Sequence, residues 1–361
     1  MAKRKTLPKD FAQIVESGNP EQIKEVFEKC DVNAYENYSK VTALGSDLPA
    51  EVMEWLVQNG ADVNFPDRYG NTPLHHHAGA YKNNMKTLIR LGADIEAKNT
   101  YRETPLFAAA AACLPENVRI LVEAGAKVNR KDNMGRTPLL YALSRASNSS
   151  IPQLVAVSEY LLAHRARLTG MEKEQVKRIG TDFEWFRDRM SSETVAELEP
   201  ALMELYEMFG VEPVAKRKMY DGHSDIKVTK SSWQEQFDQL WDLLVPSCGA
   251  ASTVQGEAVR VCGRLAHELL DNGGINWDDD FQTMAESLTS YLVQGEPLDE
   301  SERAEAGKII AGITRAGLIR GGEDALARLT ELTVRWVLKN HRPGALQLRE
   351  YVRGAAGQCA V

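Results

Sequence analysis

Apolar and polar positions in the first half of the chain recur as a block, not as one long periodicity. Three segments align without gaps: DRYGNTPLHHHA from Asp67, NTYRETPLFAAA from Asn99 and DNMGRTPLLYAL from Asp132. Thr72, Thr104 and Thr137 stand 32 and 33 residues apart. Each block closes on a matching phrase, NGADVN at Asn59, LGADIE at Leu91 and AGAKVN at Ala124. Threonine can cap the free amides of a helix start, and proline behind it is pre-set for the first helical position. Each block therefore predicts a helix pair with Leu74, Leu106 and Leu139 pointing inward. Gly60, Gly92 and Gly125 fall where the second helix stops, a place that favours left-handed backbone. An extended hairpin finger is expected to follow.

Degenerate copies lengthen the series. Thr42-Ala43-Leu44 stands 30 residues before Thr72, and Cys30-Asp31-Val32-Asn33 takes the place of an earlier closing turn. The repeat and its TPL and GAD signatures resemble the ankyrin family, whose unit is about 33 residues. The resemblance implies about five repeats over 1–212, the last part being a C-terminal helical cap with helices near 182–190 and 194–208. It also implies that His75 has a structural hydrogen-bonding role. Partners of such stacks meet the concave face and finger tips, so the family register puts candidate contacts at Tyr38, Ser39, Arg68, Tyr69, Asn71, Thr100, Tyr101, Arg102, Glu103, Asn133, Met134 and Arg136. Tyrosine and arginine suit such a role, because large side chains with few torsions dominate interface hot spots.

Residues 213–231 are polar and weakly periodic, which predicts a linker. Helical spacing returns at 232–245, 253–271, 278–294, 300–318, 323–340 and 344–353, so 232–361 reads as a second, all-α domain. The expected fold class is therefore all-α: an ankyrin solenoid with short fingers, then a helical C-terminal domain. The stretch from Leu244 to Phe281 resembles a helical module of uncharacterised bacterial proteins. On a helix over 253–271, Glu257, Arg260, Arg264, Glu268 and Asp271 share one face. That spacing predicts an exposed salt-bridge ladder, the alternative being a polar site of Glu257, Arg260, Arg264 and His267, with Trp277 as an anchor.

Charge changes the picture more than composition does. The chain carries a net charge of -8, which argues against nucleic acid and membrane partners. Ten acids and one base crowd into 271–305, a face suited to a basic protein partner. No apolar run is long enough for a transmembrane helix, and the basic start has no apolar core behind it. Five scattered cysteines without a CxxC pair are expected as free thiols in the cytosol.

Little chemistry is in view. Consecutive helical histidines, His75, His76 and His77, point about 100° apart and cannot converge on one ion. Phosphate-loop, nucleophile-elbow and zincin motifs are missing. The expectation is a non-enzymatic binding protein without cofactor or metal. Its most specific form is a bacterial cytosolic immunity protein that neutralises a basic toxin. The alternative is an effector or regulator whose stack recruits a target to the helical domain.

Overall fold

A computed structural model describes residues 3–316 and 322–342. The chain divides into two compact units, Met1–Phe183 with Ser191–Val214, and Glu184–Met190 with Ala215–Val361. Helix dominates both.

The first unit is a run of short helix pairs. These are α1 (Phe11–Glu16) and α2 (Pro20–Lys29), then α3 (Ala50–Gln58) after a single 3-10 turn, then α4 (Pro73–Ala78) with α5 (Met85–Arg90). Next come α6 (Pro105–Ala111) with α7 (Pro115–Glu123), and α8 (Pro138–Arg145) with α9 (Ile151–Ala163). Two longer helices, α10 (Met171–Phe186) and α11 (Ser192–Phe209), follow. Leu74, Leu106 and Leu139 are fully buried as expected, together with Met85, Leu88, Phe107 and Leu121. No single pair could cover these residues; neighbouring pairs do it for each other. Each such side chain contributes about 1.5–3 kcal/mol by leaving water.

The N-terminal end departs from the repeat. Arg4–Thr6 (β1) pairs in parallel with Cys30–Tyr35 (β2), so the phrase expected as a closing turn is a strand. The threonine caps also vary. Thr137 Oγ1 accepts from Leu140 N at 3.3 Å, whereas the buried hydroxyls of Thr42 and Thr104 have no partner among the described residues. At Thr104 the helix puts Phe107 where His75 stands in the Thr72 helix, and a phenyl ring accepts nothing.

The second unit is built around α13 (Val254–Ala266), flanked by α12 (Trp233–Leu244), α14 (Asp279–Tyr291) and α16 (Gly322–Lys339), with α15 (Glu300–Ala316) against α14 and α16. A short π-helical turn, His267–Asp271, extends α13. Leu265, Met284, Leu288, Tyr291, Trp336 and Val337 are among its core residues. Residues 215–231 form no helix, yet they are packed: Ile226 is buried in this core and Tyr220 and Val228 lie against it. Arg217 stacks 3.7 Å from the Trp185 ring centroid and donates to the carbonyls of Trp185 and Asp242. The helix expected at 344–353 and Cys359 lie outside the described residues.

The expected salt-bridge ladder on α13 is not exposed. Glu257 and Arg260 are 1% and 3% accessible, and Glu268 is buried too. Three other helices pack on α13, so Glu257, Arg260 and Glu268 of that stripe lie in the interior, while Arg264 is half-buried and Asp271 is exposed. Glu257 and Arg260 form a two-pronged pair at 2.6 and 2.8 Å, and Glu257 also accepts from Ala251 N at 2.9 Å. Cys30, Cys113 and Cys262 are buried free thiols, and burial pushes the Cys262 thiol up to about 12. Among the described residues no helix is long and apolar enough to cross a membrane.

Removing one member of a buried ion pair strands the other. Glu257→Ala is expected to destabilise the second unit by about 3–5 kcal/mol in urea denaturation, while Glu257→Leu with Arg260→Met recovers most of that loss. A cost below about 1 kcal/mol for the single change would mean that the pair is solvated.

Candidate functional site

Three of the four finger tips are organised by one side chain at the base, while in the first Ser39 Oγ accepts from Val41 N at 3.2 Å. Asp67 Oδ1 accepts from the backbone N of Tyr69 and Asn71, at 2.7 and 2.8 Å. Asn99 repeats this with Tyr101 and Glu103, and Asp132 with Met134 and Arg136. The loop closes by Asp67 N→Asn71 O, Asn99 N→Glu103 O and Asp132 N→Arg136 O, at 2.9 to 3.1 Å. Asp and Asn suit this because their short polar side chains reach backbone amides two residues on.

Successive tips are then bonded to one another. Arg68 N donates to Ser39 O, Thr100 N to Tyr69 O and Asn133 N to Tyr101 O, each at 2.9 Å. Lower down, Asn33 Oδ1 accepts from Asp62 N, Asn64 Oδ1 from Asp94 N and Asn129 Oδ1 from Arg167 N, at 2.7 to 2.8 Å. Glu96 fills the equivalent place in the third rung, accepting from Lys127 N and pairing with Arg130.

Two histidines join the helices across repeats. His75 Nδ1 accepts from Thr72 N at 3.1 Å and its Nε2 donates to Glu103 O of the next repeat at 3.1 Å. His77 Nε2 donates to Leu44 O of the preceding repeat and its Nδ1 accepts from Asn84 N. With both nitrogens engaged, neither ring is open to a metal. His76 instead stands 3.1 Å from Asp67 Oδ2. Burial pushes the His75 and His77 imidazoles below their ordinary value.

On this scaffold Tyr38, Tyr69, Tyr101 and Met134 project into solvent, at 77%, 48%, 51% and 72% exposure. Arg68 lies 4.8 Å over the Tyr38 ring. Arg102, Thr100 and Asn133 are also exposed, and Ser39 is half-buried. The residues just before each threonine are different. Asn71, Glu103 and Arg136 are half-buried and bonded to the base of their own tips, Asp67, Asn99 and Asp132. Arg136 also covers the Tyr141 ring at 4.4 Å.

Residues 77–169 match the family model of ankyrin repeats, in three copies. The chain carries ankyrin repeats. The same tip and rung bonds extend beyond the matched span, to Asn33 and Ser39 on one side. Such repeats are protein–protein interaction modules, and their array here is a binding surface for protein. No curated protein matches the chain.

The second-unit candidates do not form one site. Glu257 and Arg260 are paired inside the core. Arg264 lies 5.8 Å from the Phe281 ring, on which Trp277 also stacks at 5.6 Å. His267 is exposed and bonded to Asp271 at 2.8 Å. Sequence reasoning passed over Tyr81, which is 86% exposed beside a groove of about 560 Å³ bordered by Asn83, Lys86, Leu114, Glu116 and Ile120. Its signal was the stretch Tyr81–Asn84, which continues neither helical pattern around it.

Because the folded ankyrin unit resists protonating His75 and His77, the unfolded chain takes up those protons first. Their contribution is complete above about pH 6.5 and is lost as pH falls toward the depressed folded values. The melting temperature of the array is expected to fall across that window, and the His75→Gln/His77→Gln double variant to flatten that part of the profile. An unchanged slope in the variant would assign the acid sensitivity to other groups.

Proposed function

We propose that this protein acts without catalysis, by holding a protein partner along the repeat tips and the helices beneath them. The observation that supports this most directly is the row Tyr38, Tyr69, Tyr101 and Met134, large side chains kept in solvent by tips that are themselves hydrogen-bonded in series. A rigid base lowers the ordering cost of binding, and tyrosine adds contact area with few torsions.

In its specific form the proposal is a bacterial immunity protein of the cytosol that neutralises a toxin. The acidic stretch 271–305 supports a basic partner, with Asp271, Asp278, Asp279, Glu286, Glu296, Asp299 and Glu300 all exposed. Three buried free thiols agree with a reducing compartment. The effector reading has less behind it. It needed Glu257, Arg260, Arg264 and His267 as one accessible site, and the first two are enclosed in the core.

The expected outcome of replacing Tyr38 and Tyr101 together by Ala is a loss of about 100-fold or more in affinity for the partner captured from the source cell, with an unchanged melting temperature. A capture that returns no stable protein at micromolar concentration would count against any binding role. A captured partner that proves acidic and harmless to growth would sink the toxin reading alone.

A further inference from the structure

All four tips place a residue in left-handed backbone just before the residue that closes the loop, although the first loop, Glu36 to Val41, is one residue longer than the others. Gly70 and Gly135 occupy that position with φ of +79° and +78°, while Lys40 and Arg102 occupy it with φ of +63° each. This left-handed region is open to glycine and sterically costly for a residue with a Cβ. The repeat accepts glycine there, yet two tips hold a cation. Both side chains are exposed, and neither makes an ion pair among the described residues. Neither side chain offsets the cost of that backbone by an ion pair among the described residues, which leaves both cations open to a partner.

The surroundings have the same sign. Arg68, Lys98 and Lys131 are exposed on the same tips, also without an ion pair among the described residues. The tip acids face the other way: Asp67 and Asp132 are turned inward to hold backbone amides, and Glu103 is bonded to Asn99. Of the tip carboxylates only Glu36 is exposed, and it accepts from Ser39 Oγ at 2.6 Å. Five cations, interleaved with Tyr38, Tyr69, Tyr101 and Met134, thus line one edge of a chain whose net charge is -8. Arg68, spread over the Tyr38 ring, still has guanidinium edges for a carboxylate fork.

We infer that the tip row takes an acidic, extended protein segment, its carboxylates meeting Lys40, Arg68, Lys98, Arg102 and Lys131 and its apolar residues lying on the tyrosines. This rests on the protein-binding reading above and names the chemistry of the partner at that surface. A protein segment fits better than nucleic acid, because a long polyanion would also meet the repulsion of the acidic remainder of the chain.

The test uses the full chain and fluorescence anisotropy with a labelled glutamate–tyrosine copolymer, and a labelled oligothymidylate as a second probe. The copolymer is expected to bind, and to bind roughly tenfold more weakly when salt is raised from about 50 to about 300 mM. Lys40→Gly with Arg102→Gly relieves the backbone while removing the charge. It is expected to weaken copolymer binding about five- to tenfold without lowering the melting temperature. Lys40→Gln with Arg102→Gln keeps the backbone strain and should weaken binding equally. Absence of copolymer binding, undiminished binding by both double variants, or tighter binding of the oligothymidylate would each overturn the inference. So would a cellular partner lost with Tyr38→Ala/Tyr101→Ala but retained by both double variants, a result that leaves the protein-binding reading standing.

Discussion

The array depends on one recurring bond: a carboxylate or amide oxygen at the base of three successive tips, held on two backbone amides. Asp67, Asn99 and Asp132 each close a loop that has no strand partner of its own. Once closed, each loop has a free carbonyl and a free amide pointing along the stack, and these make the tip-to-tip bonds. The consequence reaches the core. A repeat of two short helices cannot bury Leu74 or Leu106 alone, and stacking succeeds only if neighbours keep a fixed register. The tips, the Asn33 to Asn129 rungs and the two histidine bridges set that register with directional bonds, while the apolar contacts supply most of the free energy.

The second unit obeys a different constraint. Its central helix α13 is enclosed by three others, so polar groups on it must be satisfied within the interior. Glu257 does this with Arg260 and the amide of Ala251, and Glu268 with Asn272 and Asn276. Such pairs add little net stability compared with apolar side chains of the same size, but they penalise any packing that leaves one partner alone. They therefore act mainly on which arrangement of helices is allowed. This is also why a face that looks solvated by spacing can belong to the core.

What could be read from the chain follows from how local each signal is. The inward leucines and the left-handed glycines at the helix ends depend on neighbours within one turn and are present as expected, whereas the hydrogen-bonding role of His75, which the family resemblance implied, reaches Glu103 O of the next repeat. The tip residues were legible for the same reason, since Tyr69 and Tyr101 keep fixed offsets from Thr72 and Thr104. Burial of Glu257 and Arg260 was not legible, because a three-residue spacing of opposite charges is the same on a solvated helix and an enclosed one. The β1–β2 pair was hidden too: a parallel pairing between residues 4–6 and 30–35 is non-local, and Arg4 and Lys5 carry no strand pattern. His77 bridging back to Leu44, and Glu96 standing in for asparagine, could be recognised only once the repeats were superposed in space.

The opening signature, a threonine-proline-leucine repeat, leads to a surface with more character than the repeat itself requires. Stacking explains why the tips are rigid, and it would be served equally well by glycine at every left-handed position and by small polar residues at the apex. Lys40 and Arg102 at two of those positions, and tyrosines at three apices, are additions that the fold does not need and in part opposes. The acidic face of 271–305 has the opposite sign, so one kind of partner surface cannot suit both. On the proposals made here, the two units divide the work by charge: the tips engage an acidic segment, and a basic surface is left to the helical unit.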